Sequence, residues 1–349
     1  MHMADALISP AVGGTMWVVS GGLVAYSARK VREEADDRKV PLMGVLGAFI
    51  FAAQMLNFTI PATGSSGHLG GGMILAILLG PYAGFLVMAS VLTVQALFFA
   101  DGGLLALGCN IFNLGFFTCF LAYPLVYRRI AGDGLDRRRI MAASVLAALV
   151  GLQLGAFGVV LETVASGISA LPFGTFVLLM QPIHLAIGVV EGLITAGVVS
   201  FLLEARPEIL SAASARRPIG VSIRGALVAL AAAAAVAGGA LSWFASTRPD
   251  GLEWSMFRTS GKEELESGGG LHGKLAALQE KTAFLPGYGF RKAAGPEAGD
   301  APSEAAWPAV DAGTSVAGLA GGLFTLLLAG AAGLLLSRRR SAARNPAGE

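Results

Sequence analysis

The sequence predicts an all-α protein that crosses a membrane several times. Of its 349 residues, 54% are hydrophobic and only 14% are charged, and its mean hydropathy is +0.67. Soluble proteins carry about 25% charged residues, so this chain has too few charges to cover a water-facing surface of its size. Apolar stretches of about 20 residues, each long enough to cross a bilayer, recur along it. A soluble enzyme and a nucleic-acid-binding protein are therefore excluded.

The positive charges mark the predicted cytoplasmic loops. Of the 25 Lys and Arg residues, 17 lie in four short segments, at 29–39, 128–139, 206–217 and 338–344. Lys and Arg concentrate in the short cytoplasmic loops of membrane proteins. We therefore place all four segments on the cytoplasmic side of the cell (inner) membrane.

The apolar stretches predict about seven transmembrane helices in an N-terminal unit, residues 1–205. The long apolar region 69–127 must cross an odd number of times, and its breaks at Gly80-Pro81 and at Asp101-Gly102-Gly103 predict three short helices. This count puts the N-terminus outside. The other four helices are expected at about 10–28, 41–60, 140–165 and 173–203.

A smaller C-terminal module, residues 219–349, is predicted to follow a cytoplasmic linker at 206–218. We expect it to contain two helices around an extracytoplasmic loop at about 246–310. The mixed charge and low apolar content of this loop predict little packed core. His272, which lies in the loop, is expected to be solvated.

The amino terminus carries the donors of a metal chelate. No basic residue precedes Arg29, so the start is not typical of a signal peptide, and we expect Met1 to be retained in front of the bulky His2. The Met1 amine and the His2 amide nitrogen close a five-membered ring around a metal ion, and that amide and the imidazole close a six-membered ring. A fourth nitrogen would complete a planar set, which suits Ni(II) or Cu(II) but not tetrahedral Zn(II).

His68 is the candidate fourth ligand. The predicted topology places it on the same side as His2, in a chain with four histidines. The surrounding Ser65–Gly72 loop is rich in Gly and Ser and flexible enough to fold over the amino terminus. Each histidine also has an interpretation without a metal. His2 would lie in a frayed terminus, and His68 would be a loop residue that faces water.

Four separated motifs occur within about residues 1–203, namely Met1–Pro10, Gly67–Leu69, Leu104–Asn113 and His184–Gly192. Together they resemble the nickel/cobalt substrate-capture (S) components of energy-coupling factor transporters. The run Pro249–Trp254 resembles the signature of the small accessory subunit of that family, here fused behind the S component.

The resemblance implies a transporter subunit and not an enzyme. Met1, His2 and His68 would hold Ni(II) or Co(II) through four nitrogens, as the transported substrate and without an organic cofactor. Because the chain has no G-x-x-x-x-G-K-[ST] phosphate loop, ATP would be hydrolysed by a pair of cytoplasmic ATPases, coupled through a transmembrane scaffold (T) subunit. Met3–Ala6 differs from the openings typical of either metal, which leaves nickel or cobalt open with a preference for nickel.

Polar residues inside a membrane are costly, so each needs a partner or a role. Gln181, His184 and Glu191 share one helix face, either as part of a metal path or, as we favour, as hydrogen-bonded links between helices. The candidates for orienting the ligands or lining the path are Asn57, Asn110, Asn113, His184 and Glu191.

Two further groups of residues have open roles. Gly44, Ala48 and Ala52 line one face of the second helix, which permits close helix packing in lipid. That face either packs within this chain or docks the scaffold subunit. In the C-terminal module, Asp250 and its neighbours either steer ions or contact the N-terminal unit.

Two other functions are open. A stand-alone secondary permease for the same metals would transport them without ATPases. An intramembrane hydrolase would use Ser65 or Ser66 with His184, which requires the serine and the histidine within hydrogen-bond reach. The predicted topology places the serines in an outer loop and His184 inside a helix, which disfavours the hydrolase.

Overall fold

The computed structural model of the chain describes residues 1–34, 38–132, 136–215, 217–220, 222–262, 265, 269–291 and 307–344. Within these ranges helices dominate, and the strands are only two residues long. The predicted all-α, polytopic membrane fold is therefore confirmed. Large apolar side chains on the outer faces of long helices, such as Leu178, Phe201 and Leu335, are exposed, as expected for contact with lipid.

The helices fall into the two predicted parts of the chain. The N-terminal part contains α1 (Pro10–Glu34), α2 (Lys39–Gln54), α3 (Gly72–Leu79), α4 (Pro81–Phe99), α5 (Leu107–Ala131), α6 (Arg137–Ser166) and α7 (Phe173–Ala205). The predicted linker contains α8 (Pro207–Ala215), and the C-terminal part contains α9 (Arg224–Gly239), α10 (Gly251–Ser260), α11 (Leu271–Thr282) and α12 (Ala312–Arg344). Strands β1 (Phe58–Thr59) and β2 (Ser66–Gly67) pair as an antiparallel hairpin. Of the described helices, α1, α4, α5, α6, α7 and α12 are long and apolar enough to cross a membrane.

The long apolar region holds the three expected helices, α3, α4 and α5. Gly80 ends α3 with a φ of +83°, a conformation that favours glycine, and Pro81 starts α4, where proline is well tolerated. The second break contains Gly102, with a φ of +80°. Helix α3 rises only about 12 Å, less than half the hydrocarbon core. The number of complete crossings and the side of the N-terminus therefore stay predictions.

Three of the basic segments gather at one end of the helix bundle. Arg137 forms an ion pair with Glu204 at the end of α7, and the guanidinium of Arg38 donates to the carbonyl of Ile219. These contacts join loops that the charge pattern assigned to one side of the membrane. The other end of α1 carries the N-terminal segment.

The small-residue face of α2 is covered by the C-terminal module. A β-carbon at Gly44 would meet the backbone of α12, and Ala48 and Ala52 form an apolar cluster with Ala234 and Ala237 of α9. Small side chains allow such close approach in lipid. Of the two roles open for this face, the structure therefore shows packing within the chain, and docking of a scaffold subunit stays a prediction.

The polar segment of the C-terminal module is packed, contrary to the expectation of little core. Leu252, Met256 and Leu285 are buried in the same core as the N-terminal unit. His272 is buried and not solvated, and its Nε2 donates to the carbonyl of Ile8 at 2.8 Å. The expectation failed because a segment with few apolar residues can still pack when another unit supplies the apolar surface. Residues 292–306 of the predicted loop lie outside the described residues.

Replacing Gly318 by Val tests the contact between α9 and α12. A β-carbon at Gly318 would overlap the backbone of Gly238, which cannot move aside as a side chain can. We expect the free energy of unfolding to fall by about 1–3 kcal/mol and the melting temperature in detergent to fall measurably. Gly330→Val is the control, because a β-carbon at Gly330 meets no atom within 4 Å. Equal melting temperatures for the two variants would contradict the close approach.

Candidate metal centre

The first residues of the chain are buried inside the N-terminal unit. Met1 and Met3 are 4% and 0% exposed. The Asn110 side chain clamps Met3, since its oxygen accepts from the Met3 amide at 2.8 Å and its nitrogen donates to the Met3 carbonyl at 3.2 Å. The Asp5 carboxylate accepts from the Ala106 amide at 3.0 Å. These bonds fix the backbone and thereby the position of the α-amine of Met1.

Two side-chain atoms, from His68 and Asp250, meet at that amine. Its nitrogen lies 3.3 Å from Nε2 of His68 and donates to Oδ2 of Asp250 at 2.9 Å. Nε2 of His68 and Oδ2 of Asp250 are 3.7 Å apart. Nδ1 of His68 lies 3.1 Å from the Leu69 carbonyl. Because a carbonyl only accepts, Nδ1 carries the proton, and the lone pair on Nε2 faces the amine.

The loop that carries His68 is tied to two helices. Glu191 of α7 accepts from the amides of Gly70 and Gly71, each at 3.0 Å. Gln54 of α2 donates to the Gly70 carbonyl at 2.8 Å. Gly71 has a φ of +80°, so the turn itself favours glycine. Glu191 therefore links α7 to the His68 loop and holds that loop over the amine.

The His2 ring lies against the His68 ring, with centroids 5.1 Å apart and planes 15° apart. Nδ1 of His2 is 3.3 Å from Oδ1 of Asp101. Burial lowers the pKa of His2 to about 4, although Asp101 opposes the shift, so the imidazole is neutral near pH 7 and able to bind a metal. The structure thus brings Met1, His2 and His68 together, but the two rings are stacked and do not share one plane.

The three predicted asparagines lie in different places. Asn110 holds Met3, as described above. Asn113 lies deeper, where its Nδ2 donates to Glu162 at 2.6 Å and is 3.8 Å from Sδ of Met3. Asn57 is half-buried and lines the cavity outside the site. Asn110 and Asn113 therefore contact the N-terminal segment, and Asn57 does not.

His184 of α7 lines a small cavity together with Met1 and His68. Its Nδ1 donates to the Met180 carbonyl at 2.8 Å. The Ser65 and Ser66 hydroxyls donate to main-chain carbonyls instead, Ser65 to Ser66 and Ser66 to Arg248. Within the described part of the chain no serine–histidine pair is formed, so the geometry does not support the intramembrane hydrolase.

Asp101 was not among the predicted site residues, and for Asp250, which was expected either to steer ions or to contact the N-terminal unit, the structure shows the contact, with the Met1 amine. Asp250 begins α10, and its Oδ1 accepts from the amides of Leu252 and Glu253, which leaves Oδ2 free to face the amine. Burial opposes ionisation of Asp250, but the charge of the Met1 ammonium outweighs it and holds the pKa of the carboxyl well below its usual value. The helix-capping sequence Pro-Asp-Gly marks Asp250 as an N-cap but contains no signal for its partner.

An acidic cavity of about 610 Å³ opens outside the two histidines, between the N-terminal unit and the C-terminal module. Neither Lys nor Arg is among the described residues that line it, and a site with negative walls attracts cations. Across the described ranges no three side chains of His, Cys, Asp or Glu cluster as a metal site by themselves. A metal bound here would therefore depend on main-chain nitrogens. The lining carboxylates are Asp101, Asp250, Glu253 and Asp311.

Comparisons with known proteins match both parts of the chain. The family described as "Cobalt uptake substrate-specific transmembrane region" matches residues 2–209, and the PDGLE domain matches residues 224–338. One relative is a protein of Archaeoglobus fulgidus whose name describes it as a fused nickel transport protein. It is 38% identical over 234 residues, which are 66% of this chain and 75% of that protein.

Two further matches have lower identity. The fused nickel transport protein NikMN of Rhodobacter capsulatus is 30% identical over 226 residues, which are 60% of this chain and 64% of that protein. A crystal structure described as a truncated transition metal transporter is 31% identical, with a TM-score of 0.53, and the match covers 59% of this chain and 99% of the solved one.

Replacing Glu191 by Ala tests whether this buried carboxylate positions His68. Removing the acceptor of the Gly70 and Gly71 amides frees the loop, and losing such a supporting partner typically weakens metal binding by about 10- to 100-fold. We expect that loss for Ni(II) in calorimetric titrations, with a smaller loss for Glu191→Gln, which keeps one acceptor. Glu204→Ala, which removes an exposed carboxylate of the same helix, is the control. Unchanged affinity in Glu191→Ala would contradict the positioning role.

Proposed function

Because the chain belongs to the family of cobalt uptake substrate-specific transmembrane regions, here joined to a PDGLE domain, we propose that it binds Ni(II) or Co(II) at the outer side of the cell membrane and mediates its uptake. The observation that carries the proposal is the meeting of the buried Met1 amine with Nε2 of His68 at 3.3 Å, beside a buried, neutral His2. These groups are the nitrogen donors of the predicted chelate.

Four nitrogens around one ion account for the chemistry of the proposed site. They are the Met1 amine, the His2 amide, the His2 imidazole and Nε2 of His68. The His2 ring must turn away from Asp101 and out of its stack on His68 for its Nδ1 to join the plane. A planar nitrogen set suits Ni(II) better than Zn(II). This geometry supports nickel as the preferred substrate, with Co(II) as the alternative.

The chain would act as the substrate-specific component of an energy-coupling factor transporter. A transmembrane scaffold subunit and a pair of cytoplasmic ATPases would supply the energy, in a lipid bilayer and without an organic cofactor. The proposed division is a metal-capture domain at 1–205, a linker at 206–218 and an accessory module at 219–349. The linker contains α8, which buries Ile209 and Leu210.

One residue added before Met1 should abolish high-affinity Ni(II) binding. The extension replaces the α-amine by an amide and has no room, because Met1 is 4% exposed. The measurement is equilibrium Ni(II) binding to purified protein, with the mass of the chain confirming that Met1 is present. One residue added after Glu349 is the control. High-affinity Ni(II) binding by the chain with the N-terminal extension would contradict the proposed chelate.

Uptake by the purified chain should require ATP hydrolysis by its partners. In proteoliposomes we expect Ni(II) accumulation only when the scaffold subunit and ATPases of the same organism are present with ATP. ATPases that lack the phosphate-loop Lys, which contacts the nucleotide phosphates, should give no uptake. Transport by the chain alone would favour the secondary permease instead.

A further inference from the structure

The atoms around the Met1 amine enclose a point at which a metal ion fits. The amine nitrogen, Nε2 of His68 and Oδ2 of Asp250 are separated by 2.9, 3.3 and 3.7 Å. The centre of that triangle lies about 2 Å from each atom, the bond length from a first-row divalent ion to nitrogen or oxygen. Two of these donors belong to the N-terminal unit, and the third belongs to the C-terminal module.

A cavity of ionic size adjoins the three atoms. Its volume is about 10 Å³, and Met1, His68, Asp250 and His184 line it, which leaves room for one water molecule or ion. The hydrogen bond from Nδ1 of His184 to the Met180 carbonyl leaves the lone pair on Nε2. His184 is 1% exposed, and among the described residues its Nε2 has no hydrogen-bond partner. A water molecule or an ion in this cavity would give the buried lone pair a partner.

In this structure the four nitrogens of the predicted chelate are not arranged in one plane around a common point. The His2 ring is stacked on that of His68, and its Nδ1 faces Asp101. Tyr288 of the C-terminal module donates its hydroxyl to the same Asp101 carboxylate, which holds that carboxylate beside His2. The donors that converge on one point are therefore those of Met1, His68 and Asp250.

We propose that the Met1 amine, Nε2 of His68 and Oδ2 of Asp250 form a loading site, which binds the divalent metal before it passes to the planar nitrogen set. The inference rests on the proposed function and adds a metal ligand from the C-terminal module. Asp250 is suited to this role because its Oδ1 is engaged by amides of α10, so Oδ2 is held in place without a partner in its own helix.

Loading and transfer are ligand exchanges that balance in protons. The ion replaces a proton on the Met1 ammonium, and that proton leaves through the acidic cavity. The His2 amide then loses its proton to solvent as its nitrogen binds the ion, and the ring turns so that Nδ1 binds as well. Asp250 is released in this second step, because four nitrogens now fill the plane.

The test isolates the loading site by removing His2 from the planar set. His2→Phe is the suitable background, because a bulky second residue keeps Met1 in place and an aromatic ring preserves the stacking on His68. The measurement is Co(II) titration of the purified full chain, followed by visible absorption, since the spectrum of Co(II) reports coordination geometry. We expect one weaker site with the strong absorption of a low-coordinate nitrogen and oxygen ligand set.

Adding Asp250→Asn to His2→Phe should weaken that Co(II) site at least tenfold. Asn still caps α10, so the change removes the charge and the ligand while the helix start is kept. The matched control is Asp311→Asn in the same background. Asp311 lines the same acidic cavity and caps α12 through the Thr314 amide at 2.7 Å, but it is exposed and does not belong to the triangle.

The outcomes separate the two proposals. Equal Co(II) affinity in the Asp250→Asn and Asp311→Asn chains would overturn the loading site and leave the proposed function intact. A chain with its natural residues that binds neither Ni(II) nor Co(II) would overturn the proposed function itself. With His2 present, Asp250→Asn should slow Co(II) loading about tenfold in stopped-flow measurements, and Asp311→Asn should not change the rate.

Discussion

The burial of the first three residues is the constraint on which the centre depends. A free chain terminus is normally solvated and mobile, yet here Met1 and Met3 are enclosed, and Asn110 pairs with both main-chain groups of Met3. This pairing satisfies backbone groups that would otherwise be buried without partners. The α-amine is placed as firmly as a side chain on a helix would be, and only a fixed amine can serve as a specific ligand.

A buried ammonium requires a counter-charge, and the structure supplies it from another part of the chain. Asp250 reaches the Met1 amine across the boundary between the two units, and breaking a buried pair by removing one partner costs about 3–5 kcal/mol. His2 needs no counter-charge, because burial lowers its pKa and keeps the imidazole neutral. The centre therefore combines one charged pair with a neutral His2 imidazole, and in the proposed loading step a divalent cation that replaces the ammonium proton raises the positive charge there by one.

The sequence predicted the parts that follow from hydropathy and from covalent geometry. The breaks at Gly80 and Gly102 lie where glycine and proline place them, and the proposed chelate of Met1 and His2 is a prediction from the size of the rings that their nitrogens would close. The proximity of His68 to the amino terminus was predicted from the topology and from the small number of histidines. The partners of Asp101 and Asp250 could not be predicted in the same way, because Asp250 meets Met1, and Tyr288 meets Asp101, only when the two units dock. A capping aspartate has the same local sequence whether its second oxygen faces water or a buried amine.

The C-terminal module contacts the N-terminal unit both through helices α9 and α12 and through its polar segment. Helices α9 and α12 cover the small-residue face of α2, while Asp250, His272 and Tyr288 contact Met1, Ile8 and Asp101. Each contact is small, but fusion makes their formation intramolecular, so the effective concentration of the module is set by the linker and not by its expression level. A module held this way can keep a carboxylate at the amine in every copy of the chain. A separate subunit would need enough affinity of its own to do the same.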